Sequence, residues 1–215
     1  VPRSRARAPR QRAEQERAAL TLGRIIDTAI GIIEREGELA VTISRVVAET
    51  GLSRGAVYHH FADRDEIVRA AQFTRLTRQP GGDIAALRAA VRDAKDRDEF
   101  VGVVGLITAA LVEPQRAPVR TLRAGVVATS ARHPETADAL RALESGICDD
   151  LTEVVREGQA KGFINAALDA RAIAVVIEAV AFGLLLVEHI EPRPPRDALA
   201  DAVGVALLAF LPGVT

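Results

Sequence analysis

The chain has 215 residues, 48% of them apolar and only 3% aromatic, with one cysteine and a net charge of −1. That composition excludes a disulfide-built domain and a cysteine-paired zinc module, and it lacks the Val, Thr and Tyr strands of a β-sandwich. Ala, Val, Leu and Ile supply the apolar content, which suits packed helices.

Residues 1–18 read as a flexible basic arm. Arg3, Arg5, Arg7, Arg10 and Arg12 precede the first acid, and no apolar period is visible. Such an arm either enters a minor groove and follows phosphates or is a solvated tail. It lacks the apolar segment of a secretory leader. Cys148 reads as a small core residue rather than a redox sensor. Together these features predict a cytoplasmic protein. Charge is uneven: residues 1–64 hold 11 Arg against 8 acids, a net of +3, and the remainder carries −4. The asymmetry points to an anionic partner for the N-terminal part.

The first helix is expected over Leu20–Glu36. Leu22, Ile25, Ile26, Ala29, Ile32 and Ile33 repeat at i, i+3, i+4, i+7, and Gly37 suits the left-handed position after the helix. Thr42 is the N-cap of a second helix with Ile43, Val46 and Val47 inward, ending at Gly51. Ser53 caps a third, running to about His60 and burying Val57 and Phe61. Asp63 caps a fourth, with Glu66 three residues on as in a capping box.

A Gln-Pro-Gly-Gly turn follows Arg78. Further helices are expected over Asp83–Lys95, Glu99–Val112, Val119–Arg132, Glu135–Lys161, Ala170–His189 and Arg196–Phe210. The fold class is therefore all-α, with nine or ten helices and no strand. Ala172–Val187 is apolar almost all round, but Glu178 interrupts it and it is expected to fall short of a membrane span.

Residues 42–61 carry the functional signal. Two short helices joined by a tight turn form a helix-turn-helix, and the second would enter a major groove. Its polar side offers Ser53, Arg54, Gly55, Ala56, Tyr58, His59 and His60. A glycine inside so short a helix costs about 1 kcal/mol against alanine. Gly55 makes sense where the backbone approaches another surface closely. Arg54 suits guanine O6 and N7, and the Tyr58 hydroxyl and His59 ring suit phosphate oxygens. Arg64 opens the fourth helix, within reach of the same backbone. His59 and His60 point about 100° apart on a helix, so a metal site is not expected.

The stretch from Leu20 to Val68 resembles the N-terminal domain of the TetR family of transcriptional regulators. The resemblance rests on Glu36-Gly37, Val41-Thr42, Ala48, Gly51-Leu52-Ser53, Tyr58-x-His60-Phe61 and Arg64-Asp65-Glu66-Ile67, in one ungapped register. It implies that Thr42, Tyr58 and His59 contact phosphate, that Arg45, Arg54, Gly55 and Ala56 lie toward bases, and that Arg64 touches the DNA backbone. Phe61 and Ala48 would be packing residues, and His60 would anchor the helix by a hydrogen bond. The implied organisation is a basic arm (1–18), a three-helix DNA-binding domain (19–66) and a helical ligand-binding and dimerisation domain (67–215).

For the C-terminal part, the resemblance implies a ligand cavity and a homodimer. Phe73, Phe100, Val104, Ile107, Thr108, Leu111, Val126, Ile147, Leu151, Ile177 and Phe182 are cavity candidates, with plain core the commoner reading of each. Glu178 is added because a carboxylate in so apolar a helix needs a partner, either across a dimer or on a ligand. The last two helices are the expected homodimer contact, against a monomeric core reading. The function expected is a ligand-responsive, sequence-specific transcriptional regulator, a repressor released from a pseudo-palindromic double-stranded operator by a largely apolar small molecule. No cofactor, metal, catalytic residue or membrane is expected. The alternative is an all-helical small-molecule-binding protein or enzyme without DNA binding. No metal-binding spacing, phosphate loop or nucleophile motif supports catalysis.

Overall fold

The computed structural model describes residues 9–78 and 82–213, with the side chains of 9–13, 82 and 83 left aside. The chain divides into two compact units, residues 1–78 and 79–215. Among the described residues it forms ten α-helices, three short 3-10 turns and no strand.

Unit 1 holds α1 (Pro9–Glu36), α2 (Ile43–Thr50), α3 (Arg54–His60) and α4 (Arg64–Thr77). Helix α1 starts eleven residues before the expected Leu20, so the reading of 1–18 as an arm fails for 9–18. Pro9 fits a first helical position, and Ala13–Ala19 are mostly strong helix formers that need no apolar period to be helical. Arg10 and Arg12 therefore belong to α1, whereas Arg3, Arg5 and Arg7 lie outside the described residues.

The apolar period of α1 puts Ile25, Ala29, Ile32 and Ile33 into one core with Val41, Val46, Val57, Phe61, Ile67, Val68 and Ala71. Because Ile67, Val68 and Ala71 of α4 close this core, the unit ends at Arg78 rather than at the expected residue 66. Arg78 itself pairs with Asp27 of α1 at 2.7 Å. Ala48, expected in the packing, is exposed on the outer side of α2.

Unit 2 holds α5 (Gly82–Asp93), α6 (Arg97–Leu111), α7 (Ala117–Ser130), α8 (Pro134–Ala160), α9 (Ala170–Gly183) and α10 (Arg196–Leu208). Asp96 caps α6 by accepting from the Glu99 amide at 2.9 Å, and Glu99 accepts in turn from the Lys95 amide at 3.0 Å. This repeats the arrangement at α4, where Asp63 accepts from the Glu66 amide and Glu66 from the Ala62 amide. Helix α9 packs chiefly on α8, and α10 on α6.

The stretch Ala170–His189 is long and apolar enough to cross a membrane, with a mean hydropathy of 2.3, which corrects the shorter estimate from sequence. In the fold it changes to a 3-10 turn at Leu184, and Ile173, Ala174 and Leu184 pack into the core. Val175, Val176 and Leu186 stay about half exposed or more.

Candidate nucleic-acid interface and helical cavity

The helix-turn-helix is built from local capping. The Thr42 side chain accepts from the Arg45 amide at 3.2 Å and opens α2. Gly51 closes α2 with φ +68°, a left-handed conformation that glycine adopts without strain. The buried Thr50 hydroxyl donates to the Val46 carbonyl and accepts from the Leu52 amide, tying the turn to the helix before it. Ser53 then accepts from the Ala56 amide at 3.1 Å and starts α3. Val57 and Phe61 are buried, so the opposite side of α3 must face outward.

That outward side carries Arg54, Gly55, Tyr58 and His59. Tyr58 is 50% exposed. An alanine methyl at Gly55 would approach only Ser53 Oγ, at 4.0 Å. Among the described residues no neighbour therefore requires glycine there. Arg54 donates to the Ser44 hydroxyl of α2 at 2.7 Å. Ser44 is a residue the sequence reading passed over. It sits exposed at the start of α2 and steers the arginine expected to read bases. Thr42 and Ser53 are exposed as well, although their side-chain oxygens already serve as caps.

Two expected contacts are engaged elsewhere. Arg45 donates to Glu49 at 2.9 Å and to both carboxylate oxygens of Glu36. Arg35 holds the other oxygen of Glu49 at 2.9 Å. The hydrogen bonds from Arg45 pull the Glu36 and Glu49 carboxyls below their ordinary range and raise the guanidinium above its own. Arg45 is thus oriented by two acids of its own unit. Arg64 donates from Nε to the Val41 carbonyl at 2.9 Å and from its other nitrogens to the Glu38 carbonyl at 2.5 Å and to Asp65 at 2.6 Å. It fastens the loop before α2 to the start of α4. His60 meets the His59 ring edge-on, centroids 5.1 Å apart, in place of the expected anchoring hydrogen bond.

In unit 2 an apolar cavity of about 80 Å³ lies among α5, α6, α8, α9 and α10. Phe100, Val104, Ile107, Thr108, Leu111 and Ile177 line it, alongside Val91, Val155, Ile164, Leu207 and Phe210. The other candidates lie elsewhere. Phe73 is on α4 of unit 1. Val126 is buried on α7. Ile147 and Leu151 join a cluster around Cys148 and Ala174. Glu178 finds a partner within its own chain: Arg123 of α7 donates to it at 2.5 Å and also to Glu144. Arg123 lies 5.7 Å above the Phe182 ring, which accounts for that side chain too. Burial works against the charge on Arg123, but the two carboxylates outweigh it and raise its pKa. Among the described residues, no group of three His, Cys, Asp or Glu side chains is placed to hold a metal.

Residues 25–71 match the family model "Bacterial regulatory proteins, tetR family", and residues 102–212 match "BetI-type transcriptional repressor, C-terminal". The chain belongs to the TetR family of transcriptional regulators. Residues 25–71 run from within α1 to within α4, so this family model covers the helix-turn-helix just described. The HTH-type transcriptional regulator CymR of Pseudomonas putida is 31% identical over 84 residues, a stretch that covers 38% of this chain and 41% of that protein. A TetR-family regulator from Pectobacterium atrosepticum superposes with a TM-score of 0.60 at 18% identity, covering 92% of this chain and 97% of that one. A transcriptional regulator from Saccharomonospora viridis in complex with choline gives 0.59 at 20% identity, covering 87% and 95%. The last two likenesses speak for the fold.

Proposed function

We propose that this TetR-family regulator is a repressor that binds a pseudo-palindromic operator as a homodimer and leaves it when a small molecule fills the cavity of unit 2. The observation that carries the DNA reading is the outward side of α3. Arg54, Gly55, Tyr58 and His59 stand clear of the core, and the glycine there answers no internal packing need. Ser44 steers Arg54 toward a base edge, Tyr58 and His59 take phosphates, and Gly55 and Ala56 allow close approach. Thr42 and Ser53 contribute from the helix starts. Arg45 and Arg64 act by holding α2 and the loop before it, not as free phosphate ligands.

The dimer contact is formed by the last two helices, α9 and α10, where Val175, Val176 and Val205, with Leu186 between the helices, leave apolar surface uncovered within one chain. Two half-sites would then follow the two-fold axis. An effector that prefers the DNA-free form shifts the population toward it by its difference in affinity. The protein acts in the cytoplasm, without a cofactor and without catalysis.

Fluorescence anisotropy with the DNA flanking its own gene, at fixed salt, tests the reading. Binding at least 1,000-fold tighter than to scrambled DNA is expected, about the lower bound for specific recognition. Equal affinity for both sequences would overturn it in favour of a ligand-binding protein without a DNA target.

A further inference from the structure

Helix α9 does not stop at Gly183. It runs on without a break into six residues of 3-10 helix, Leu184–His189. Such runs seldom exceed three or four residues, and their hydrogen bonds are poorer than those of an α-helix. The burial pattern fits the tighter winding. Gly183, Leu186 and His189 are exposed, while Leu184 and Val187 belong to the apolar cluster with Val112 and Val203. Both sets repeat every three residues, the spacing that a 3-10 helix eclipses.

One ion pair selects that winding. Glu188 accepts from Arg120 of α7 at 2.5 Å, and the two side chains are only 20% and 10% exposed. Arg193 approaches the other carboxylate oxygen at 3.4 Å and donates to the Glu188 carbonyl at 3.2 Å. Each residue turns by about 100° in an α-helix and by about 120° in a 3-10 helix. Five steps on from Gly183, the α winding would therefore aim Glu188 about 100° away from its present direction, off Arg120. The same change would bring Val187 to within about 40° of the exposed line through Val176, Ala179 and Gly183, instead of about 120° from it. It would shorten the segment by about 3 Å, and the exposed residues 190–198 can take that up.

The pair is held under tension from two sides. Arg120 Nε is buried and has no hydrogen-bond partner among the described residues, so the guanidinium is incompletely satisfied where it sits. Arg120 also donates to the Leu111 carbonyl at 3.0 Å, and Leu111 lines the cavity of unit 2. The pair is thus anchored on the cavity wall.

We propose that Leu184–His189 is a two-register element: the Arg120–Glu188 pair holds it in the 3-10 winding, and release of that pair lets α9 continue to about His189 and turns Val187 out onto the exposed side of α9. A shift of the end of α6 at Leu111 loosens the pair and is the built-in trigger. The consequence for assembly rests on the reading that α9 and α10 meet a second copy.

Solution NMR of the full chain tests the register. Contacts from an α-hydrogen to the amide two residues on mark the 3-10 winding, and contacts to the amide four residues on mark the α winding. The parent should show the first kind through 184–189. Arg120→Met with Glu188→Gln removes both charges, so neither is left buried without its partner, and this variant should show the second kind. Val187→Gln leaves the pair in place and should reach the same end by another route, because its amide is unfavourable in the apolar cluster. It decides the matter should the charge-free variant not fold. Persistence of the 3-10 contacts in the variants, or loss of both kinds of contact, would overturn the proposal. On the same samples, sedimentation equilibrium should give the charge-free variant a dimer at least about threefold tighter, since Val187 joins the apolar contact. An unchanged or weaker dimer would overturn the link to assembly. A monomeric parent would contradict the homodimer alone, and the NMR contacts would still decide the register.

Discussion

Arg64 Nε donates to the carbonyl of Val41 at 2.9 Å, across 23 residues of chain. A second nitrogen reaches the Glu38 carbonyl, so one guanidinium pins both ends of the short turn before α2. The orientation of α2, and of α3 behind it, depends on that clamp. Arg64→Ala should lower the stability of the chain by about 1.5–3 kcal/mol, the range for hydrogen bonds to a charged group. Urea unfolding measures this. The salt slope of DNA binding should stay unchanged for the folded variant. A slope smaller by about one phosphate contact, with stability intact, would return Arg64 to the DNA.

The network of Arg45 with Glu36 and Glu49 makes a prediction in pH. Both carboxyls have folded-state pKa values below their ordinary 4.5, held there first by the hydrogen bond from Arg45. A depressed carboxyl contributes stability that is fully present above the unfolded pKa and lost as pH falls through the folded one. Arg45→Gln should therefore melt lower than the parent at pH 7. The gap should narrow as pH falls below about 4.5 and both carboxyls protonate. A gap that is constant from pH 7 to 3 would show that the ion pairs contribute nothing. All three groups are substantially exposed, so the effect should also shrink in high salt.

Gly55 separates a structural from a functional reason for a residue. An alanine there meets no neighbour closer than 4.0 Å. Gly55→Ala should raise stability, by up to about 1 kcal/mol on helix propensity. It should weaken operator binding at the same time, because the methyl stands between α3 and the groove floor. Thermal unfolding and anisotropy on one preparation read both. Tighter or equal DNA binding would assign Gly55 no role at the interface.

Much of unit 1 was legible because its signals are local. The caps at Thr42, Ser53 and Asp63 and the turn glycine Gly51 act within four residues, and the period of Ile25, Ala29, Ile32 and Ile33 names its own buried side. What escaped was set by pairing through space. Nothing in the sequence near Arg45 says that Glu36, nine residues back, will take it, and nothing near Glu178 points to Arg123. The start of α1 escaped for another reason. Residues 9–18 are helical by propensity and carry no apolar stripe, so a pattern search passes over them. In unit 2 the helices were readable, but six of the twelve cavity candidates line the cavity and six do not, because apolar periodicity marks burial without marking which buried side faces a void.

Gly158 of α8 shows such a through-space constraint in unit 2. A methyl built there would lie 2.7 Å from Ile164 Cδ1, and the Gly158 carbonyl accepts from the amides of both Phe163 and Ile164. The chain after α8 thus folds back onto a position where a side chain does not fit. Gly158→Ala should destabilise by about 1–3 kcal/mol through overpacking. Adding Ile164→Ala should recover part of that loss, a coupling read from a double-mutant cycle in urea. Additive losses would deny the contact.

The reading of α3 as the element that chooses a DNA sequence can be settled by selecting binding sites from a random duplex pool with the parent chain and with Arg54→Ala. The parent should enrich an inverted repeat with one guanine-containing position per half-site that Arg54→Ala no longer distinguishes, at a cost of about 1–3 kcal/mol per such contact. Enrichment of no sequence by the parent, or of the same motif at the same strength by Arg54→Ala, would contradict it.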